Sequence, residues 1–338
     1  MKLQRLKRLL QKKAVVLMYH RIAGPPTDPW ALSVNPVHFE QQLQVLRSKY
    51  KVISVDELIE QHAHRTLSSR TVCITFDDGY CDNYLSAKPL LEKYGCPASF
   101  FLPTHFIGLR QPFWWDELEH IFLRTNRLPE TFGLMLHQQP FHVELGEEAV
   151  LTPELRQQHR TWSAYNEPPT RRCKLYYTLW ELLRPLPLQE ITVLIGRIRE
   201  WAGPDLQVME TALPVTIEQM HGLATRPLFT VGLHTATHPD LASHPRDLQQ
   251  EELLNSIRYF QHHIDRPVRT LAYPYGRYND DTLSLAKELH LSAAFTTFDE
   301  PVTNGSSPYQ MGRFQVQNWN GKEFDLHLRK WTKTWFGW

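Results

Sequence analysis

The sequence lacks any long hydrophobic run. In its 338 residues no stretch approaches the roughly 18 consecutive apolar residues of a membrane-spanning helix. It also lacks an excess of charge of one sign, since 37 Lys and Arg residues are balanced by 36 Asp and Glu residues. A nucleic-acid-binding surface normally shows a basic excess or stripe, and here one occurs only in residues 1–13. These absences exclude a transmembrane helix and argue against a nucleic-acid partner.

Cysteine and glycine are sparse as well. The four cysteines form no C-x-x-C pair and no regular framework, which in a chain of this length predicts reduced thiols rather than disulfides. Pro, with 24 residues, outnumbers Gly, with 15. Aromatic residues are plentiful enough for a sizeable core, and His is abundant at 17 residues. Abundance alone does not indicate a metal site, so the positions of the histidines must decide.

Residues 1–13, MKLQRLKRLLQKK, place leucines on one face of a predicted helix, with lysines and arginines around them. The apolar segment of a signal peptide does not follow them. We therefore predict a solvated basic leader helix over 1–13 that docks on the domain following it, and we expect the protein to be cytoplasmic. The alternative is that this segment makes weak contact with an anionic inner membrane surface.

Short apolar runs alternate with amphipathic segments over residues 14–104 and 215–338, which is typical of βαβ units and a parallel sheet or barrel. Asp82–Tyr94 is predicted to be one helix.

Residues 105–214 lack this alternation and have helical periodicity, with a small hairpin around Met135–Leu145, and we predict a helical insertion there. It is a candidate cap or lid over a substrate, with mere decoration as the alternative. The clearest predicted strands are Ala14–Tyr19, Thr71–Phe76, Ala98–Leu102, Leu228–Leu233, Val268–Tyr273 and Ala293–Thr296.

The sharpest chemical signal is TFDDGY, residues 75–80, directly after an apolar strand. Burying an unpaired charge is expensive, so two adjacent carboxylates at a strand end are unlikely packing residues. One of them can bind a cation while its neighbour stays free as a base. Gly79 permits a sharp turn beside them. The alternative is an ordinary Asp-Asp-Gly turn, with Asp82 capping the next helix.

Two further signals follow later strands. His234 and His238, in HTATHP, are four residues apart and can chelate one ion from a single turn. With one Asp they would make a facial set that leaves positions open for water and substrate. One such His pair is expected by chance among so many histidines. The segment Pro274–Gly276 can present a backbone N–H as an oxyanion donor, or it can be an ordinary turn.

The positions of these residues strengthen the interpretation. Together with His20, which by itself is more often structural, they all fall just past the carboxyl ends of predicted strands. In barrels of parallel strands the catalytic residues collect at that face. The sequence therefore predicts one site assembled from distant segments.

TFDDGY, HTATHP and YPYG together resemble the motifs of the polysaccharide deacetylase (NodB-homology) family, carbohydrate esterase family four. The resemblance covers residues 14–104 and 215–300. It implies an α/β fold, a distorted (β/α) barrel of the NodB-homology type, here with a large mainly helical insertion. LMYH, which ends at His20, resembles the general-acid motif that stands at the N-terminus in the branch deacetylating poly-N-acetylglucosamine.

The resemblance also implies roles for individual residues. Asp78, His234 and His238 would bind one divalent metal ion, most often zinc, and Asp77 would be the general base. His20 would be the general acid, with His327 as a less convincing fallback. The Tyr275 backbone N–H would help to hold the oxyanion. Candidate substrate-binding residues are Tyr80, Pro274 and Arg313.

The sequence departs from the family pattern at one point. Ala272 stands where the family's Arg-x-Pro-Tyr segment has its arginine. The base must therefore be oriented by another residue, and Arg313 in MGRFQV is the candidate.

The implied reaction is metal-dependent hydrolysis of an N-acyl group, most often N-acetyl, from an amino sugar in a saccharide, glycolipid or polysaccharide precursor. The alternatives are a deformylase or other amidohydrolase on the same site, and a non-catalytic saccharide-binding protein. Retention of both carboxylates and both histidines argues against the last. Exposed tryptophans in the insertion, at positions 114, 115 and 162, are candidates for stacking on sugar rings, although such aromatics are more often core.

Overall fold

The computed structural model describes residues 12–136, 139–203 and 212–333. All but the last two residues of the predicted leader helix therefore lie outside the described residues. The chain divides into two compact units. The first comprises Met1–Gly24, Ser33–Leu109 and Pro214–Trp338, and the second comprises Pro25–Leu32 and Arg110–Leu213. The short segment Pro25–Leu32, which the strand rhythm had assigned to the barrel, thus groups with the helical block.

The strands follow the alternation expected from the sequence, and all except β5 and β6 belong to the sheet of the first unit. In chain order they are β1 (Lys13–Tyr19), β2 (Lys51–Val52), β3 (Thr71–Phe76), β4 (Ala98–Leu102), β5 (Thr131–Leu136), β6 (Gln139–Glu144), β7 (Phe229–Leu233), β8 (Thr270–Ala272), β9 (Ala293–Phe295), β10 (Val302–Thr303) and β11 (Phe314–Gln315).

The helices alternate with these strands in the first unit and fill most of the second. They are α1 (Pro36–Lys49), α2 (Val55–Ala63), α3 (Lys88–Tyr94), α4 (Trp114–Glu119), α5 (Pro153–Thr161), α6 (Arg171–Leu183), α7 (Leu188–Ala202), α8 (Ile217–Ala224), α9 (Arg246–His263), α10 (Asp280–Glu288) and α11 (Gly321–Lys333).

The sheet has the order β10-β1-β3-β4-β7-β8-β9, and along this path each pair is parallel except β10 with β1. Because the strands are parallel, their carboxyl ends meet at one edge. Tyr19 at the end of β1 pairs with Phe76 at the end of β3. The next residues of both strands, His20 and Asp77, therefore leave the sheet side by side.

The segment 311–316 connects the two ends of this curled sheet. Met311 exchanges backbone hydrogen bonds with the β9 region, at 3.0 Å to the Ala294 oxygen and 2.8 Å from the Thr296 nitrogen. A few residues later, β11 pairs in parallel with β1. Arg313 lies between these two connections, so the closure of the sheet decides where its side chain stands.

The core of the first unit explains why these strands form. Every residue of β3 and β4 is buried, as expected for parallel strands covered on both faces. Aromatic rings from neighbouring strands pack in a row: Phe76 stacks on Tyr19 at 5.3 Å and on Phe100 at 5.0 Å between ring centroids. This packing fixes the strand ends that carry the site.

The predicted single helix over Asp82–Tyr94 is two segments in the structure. A π-helical turn covers Asn83–Ala87, and α3 follows it and ends at Gly95 with φ 58. Pro89 has no backbone N–H to donate into the helical ladder. The side chains of Asp82 and Asn83 form hydrogen bonds with the β1 loop. Both features favour a break in the regular α-helix at its start.

In the second unit the predicted hairpin is present as β5 and β6, but the expectation of exposed tryptophans is wrong. Trp114, Trp115 and Trp162 are 6%, 8% and 6% exposed. Trp115 stacks on Phe113 and Trp162 packs edge-on against Tyr176. These rings are needed for the small core of the unit and are not available for stacking on sugars.

Two other expectations concern cysteines and membranes. All four cysteines are buried free thiols, which confirms the prediction from their spacing. Among the described residues, no helix combines the length and apolar character needed to cross a bilayer.

Candidate metal and catalytic site

Asp78, His234 and His238 meet at the edge where β3 and β7 end. The Nε2 atoms of both imidazoles lie 3.3 Å from the same carboxylate oxygen, Oδ1 of Asp78. One potential ligand atom from each of the three residues lies within 4.8 Å of the others. All three side chains are buried, so the cluster is a candidate site for one divalent metal ion with oxygen and nitrogen ligands.

The two histidines are held in a form suited to binding a cation. Nδ1 of His234 lies 2.7 Å from the Ala272 carbonyl oxygen. A carbonyl only accepts, so Nδ1 carries a proton, and Nε2, which faces Asp78, is the ring nitrogen that a cation would bind. Burial lowers the pKa of His238 against the opposing pull of Asp78 and so favours the neutral imidazole. Burial would raise the pKa of Asp78, but the histidines outweigh it and that pKa lies well below its ordinary value.

The loop that carries the histidines has an unusual backbone. Thr235 has φ 63 and His238 has φ 61, a left-handed conformation that is uncommon outside glycine. The hydroxyl of Thr235 accepts a hydrogen bond from the His238 nitrogen at 3.0 Å. This local bond helps to turn the second imidazole back towards the first.

Glu252 on α9 supports the same loop, and sequence reasoning missed it. Its carboxylate accepts hydrogen bonds from the Ala236 nitrogen at 2.9 Å, and from the nitrogen and hydroxyl of Thr237 at 2.7 Å each. Glu252 belongs to a helix with many polar residues, and no local motif distinguishes it there. Only the fold reveals that it supports the loop between the two histidines.

Asp77, the neighbour of Asp78, faces a different partner. Arg313 donates to both of its oxygens, from Nη1 to Oδ1 at 2.7 Å and from Nη2 to Oδ2 at 2.6 Å. Burial would raise the pKa of Asp77, but Arg313 and the nearby histidines outweigh it, so this pKa lies below its ordinary value. Arg313 also donates to the Thr296 carbonyl at 3.0 Å. Asp77 is therefore an oriented carboxylate, and each of its oxygens keeps a further lone pair for another donor.

His20 stands beside these carboxylates at the end of β1. Burial lowers the pKa of its imidazole, and the charges of Asp78 and Asp77 oppose that shift. Nδ1 of His20 is buried and makes no hydrogen bond within the described part of the chain. The ring is thus close to both acids while its own direction is not fixed by a side-chain partner.

Tyr275 approaches the cluster from the end of β8. It lies in a short 3₁₀ turn, Pro274–Gly276, with φ 57 and ψ 8. Its ring packs edge-on against His238 at 4.6 Å between centroids. The turn therefore brings the side chain of Tyr275 beside one of the candidate metal ligands.

The remaining candidates lie elsewhere or are covered. Pro274, Tyr80 and Arg313 are all buried. The guanidinium of Arg21 covers the Tyr80 ring at 4.6 Å. The fallback acid, His327, lies on α11. Its ring stacks on that of Trp319 with the centroids 3.8 Å apart, in an aromatic group that contains none of the other site residues.

Comparison with known proteins first identifies the fold. The structure of the Streptococcus pyogenes deacetylase PplD in complex with acetate superposes with a TM-score of 0.55 at 20% identity, covering 96% of this chain and all of that one. The fold is accordingly the α/β fold of the NodB-type deacetylases, as predicted.

The sequence comparisons show which family part of the chain matches. The profile of the polysaccharide deacetylase family matches residues 64–126 and 208–294. The Bacillus subtilis protein YxkH, which carries that family's name, is 36% identical over 98 residues, which are 28% of this chain and 34% of that protein. The poly-beta-1,6-N-acetyl-D-glucosamine N-deacetylase of Staphylococcus aureus is 21% identical over 300 residues, 88% of this chain and 72% of that enzyme. Residues 64–126 and 208–294 therefore correspond to a polysaccharide deacetylase domain.

Proposed function

We propose that the protein is a metal-dependent de-N-acetylase that releases acetate from N-acetylated amino sugars in a saccharide. The observation that carries this proposal is the arrangement of two adjacent carboxylates. Asp78 faces two imidazoles, and Asp77 is turned away from them and held by Arg313. A saccharide-binding protein without catalysis has no need of this division.

The Asp-His-His cluster fits one divalent ion. Its donor set of one carboxylate and two imidazoles suits zinc, and the bond from His234 to the Ala272 carbonyl orients the ligand. When bound, such an ion polarises an amide carbonyl and lowers the pKa of water at the site. Asp78, His234 and His238 would hold it.

The remaining site residues accept or donate the protons that the reaction moves. Asp77, oriented by Arg313, accepts the proton of the attacking water, and the backbone N–H of Tyr275 donates to the oxygen that becomes negative. An amide nitrogen does not depart as an anion, so an acid must protonate it. His20 is that acid, since it lies beside both carboxylates while His327 is stacked on Trp319.

The substrate class follows from the relatives. The Staphylococcus aureus enzyme that this chain resembles acts, by its name, on poly-beta-1,6-N-acetyl-D-glucosamine. LMYH, with His20 at its end, resembles the general-acid motif of that branch. We therefore propose β-linked N-acetylglucosamine oligomers as the substrate.

The test is release of acetate from N-acetylglucosamine oligomers by the zinc-loaded protein, compared with His20→Ala and His327→Ala. Acetate release that requires His20 and a bound ion supports the proposal, and His327→Ala is expected to behave as wild type. A fully folded protein that binds zinc and releases no acid from acetylated or formylated sugars would refute it.

Glu252→Gln is expected to weaken zinc binding about 10- to 100-fold, the usual cost of losing a group that supports metal ligands. The neutral amide accepts less strongly from the two backbone N–H groups and the hydroxyl that Glu252 now holds. Zinc affinity is measured by competition with a chromogenic chelator. The matched control is Glu251→Gln, the exposed neighbour on the same helix, for which no change is expected. Equal affinities in both variants would show that the carboxylate does not support the metal ligands.

A further inference from the structure

We propose that Asp82 and Asn83 are positioning residues that hold the backbone around His20 and so aim the imidazole of His20 at the leaving nitrogen. This proposal rests on the proposed function, in which His20 is the general acid. It assigns a role to the residues just after TFDDGY, which the sequence interpretation treated only as the start of a helix.

The contacts come from two adjacent side chains on one side of the His20 loop. The Asn83 amide Nδ2 donates to the His20 carbonyl oxygen at 2.7 Å. The Asp82 carboxylate accepts from the Ile22 nitrogen at 2.9 Å through Oδ1. Through Oδ2 it pairs with the Arg21 guanidinium at 3.1 Å. The backbone is therefore held at two successive peptide groups, the one that joins His20 to Arg21 and the one that joins Arg21 to Ile22.

The two side chains also hold each other. Asn83 Nδ2 donates to Asp82 Oδ1 at 3.0 Å, and both residues are buried. Arg21 is in turn packed over the Tyr80 ring. Tyr80, which the sequence predicts to bind substrate, therefore has a supporting role here. Its ring packs against the arginine that pairs with Asp82.

The His20 ring depends on this support more than most histidines would. Many catalytic histidines are oriented by a hydrogen bond to the ring nitrogen that faces away from the substrate. Nδ1 of His20 has no such bond among the described residues. Its direction is consequently set by packing and by the backbone that Asp82 and Asn83 fix.

The arrangement also links the acid to the rest of the site. Asp77, Asp78 and Asn83 lie within one short stretch of chain that leaves β3. The base, a metal ligand and the support for the acid are therefore carried by one loop. A shift of this loop would move the groups that accept and donate protons together.

The test compares two substrates that differ in their need for an acid. An N-acetylated sugar must have its leaving nitrogen protonated, whereas 4-nitrophenyl acetate releases a stable phenolate that needs no proton. If the His20 imidazole is no longer correctly oriented, hydrolysis of the amide should slow down while hydrolysis of the aryl ester should not. General damage to the fold or to the metal ligands should slow both equally.

Asn83→Leu keeps a similar side-chain size and removes both hydrogen bonds. We expect its kcat for the amide to fall about 10- to 100-fold, within the range of roughly 10²–10⁴ that proton transfer contributes, with the aryl ester within about threefold of wild type. Asp82→Asn, which weakens the bonds to Arg21 and Ile22 with little change of shape, is the second variant and should show the same selectivity. Leu91→Ala, a buried change on the following helix, controls for destabilisation and should show no selectivity.

The His20→Ala variant distinguishes failure of the positioning role from failure of the proposed function. If it slows the amide selectively and Asn83→Leu adds no further loss to it, the two residues act as one unit and the proposal holds. If His20→Ala is selective but both positioning variants slow the two substrates alike, the positioning role is overturned while the function stands. If His20→Ala itself is not selective, the acid assignment is wrong and this inference is overturned with it.

Discussion

Asp77→Asn is expected to reduce acetate release by roughly 10²–10⁴, the contribution of a positioned general base, and to leave the protein folded and able to bind zinc. The amide of Asn has nearly the shape of the carboxylate and can still accept from Arg313 through its one oxygen, but it takes up no proton from water. The buried arginine loses its counter-charge, so some loss of stability accompanies the loss of activity. The metal cluster is untouched, because the bonds of Asp77 go to Arg313 and those of Asp78 to the histidines.

Asp78→Asn is the informative comparison. It removes the charged ligand, so both zinc content and activity should fall, whereas Asp77→Asn should lose activity alone. Zinc content is measured by elemental analysis after gel filtration, and Asp56→Asn, an exposed change on α2, serves as the control. A near wild-type rate in Asp77→Asn, or loss of zinc equal to that of Asp78→Asn, would contradict the division of labour between the two acids.

That one of the two acids meets the histidines while its neighbour stays apart from them could be predicted from sequence, because the determinants are local. Asp77 and Asp78 are adjacent at a strand end, and the histidines share one short turn. That the distant segments meet could also be predicted, since parallel strands end at one edge of a sheet. The pairing of Tyr19 with Phe76 then places His20 next to Asp77.

The supports of the site could not be predicted in the same way. Glu252 and Asn83 act on backbone groups of other segments, and nothing in a helix sequence shows which loop its polar side chains will reach. Arg313 could be named only as a candidate, because its distance from Asp77 depends on how the segment 311–316 closes the sheet. The burial of the tryptophans could not be predicted either. The spacing of Trp114 and Trp115 in the sequence does not show whether their rings pack into the core or lie on the surface.

Arg313→Met is expected to lower the free energy of unfolding by about 3–5 kcal/mol, the cost of leaving one member of a buried ion pair alone. The side chains of Arg313 and Asp77 are 0% and 3% exposed, so water cannot replace the lost donors. The pKa of Asp77 lies below its ordinary value in the fold, which keeps the pair ionised at neutral pH. Unfolding is followed in urea at pH 7.

The double variant Asp77→Asn/Arg313→Met decides whether the loss comes from the stranded charge. Replacing a buried pair by neutral groups of similar volume is often nearly neutral, so most of the lost stability should return while activity stays absent. Arg329→Met removes a half-exposed arginine from its pair with Asp325 on α11 and leaves Asp325 paired with Lys49, so it should cost no more than about 1 kcal/mol. Failure of the double variant to recover would mean that Arg313 stabilises the closing segment chiefly through its bond to the Thr296 carbonyl. Recovery would show that the buried ion pair adds little net stability, which favours the orientation of Asp77 as the reason for keeping it.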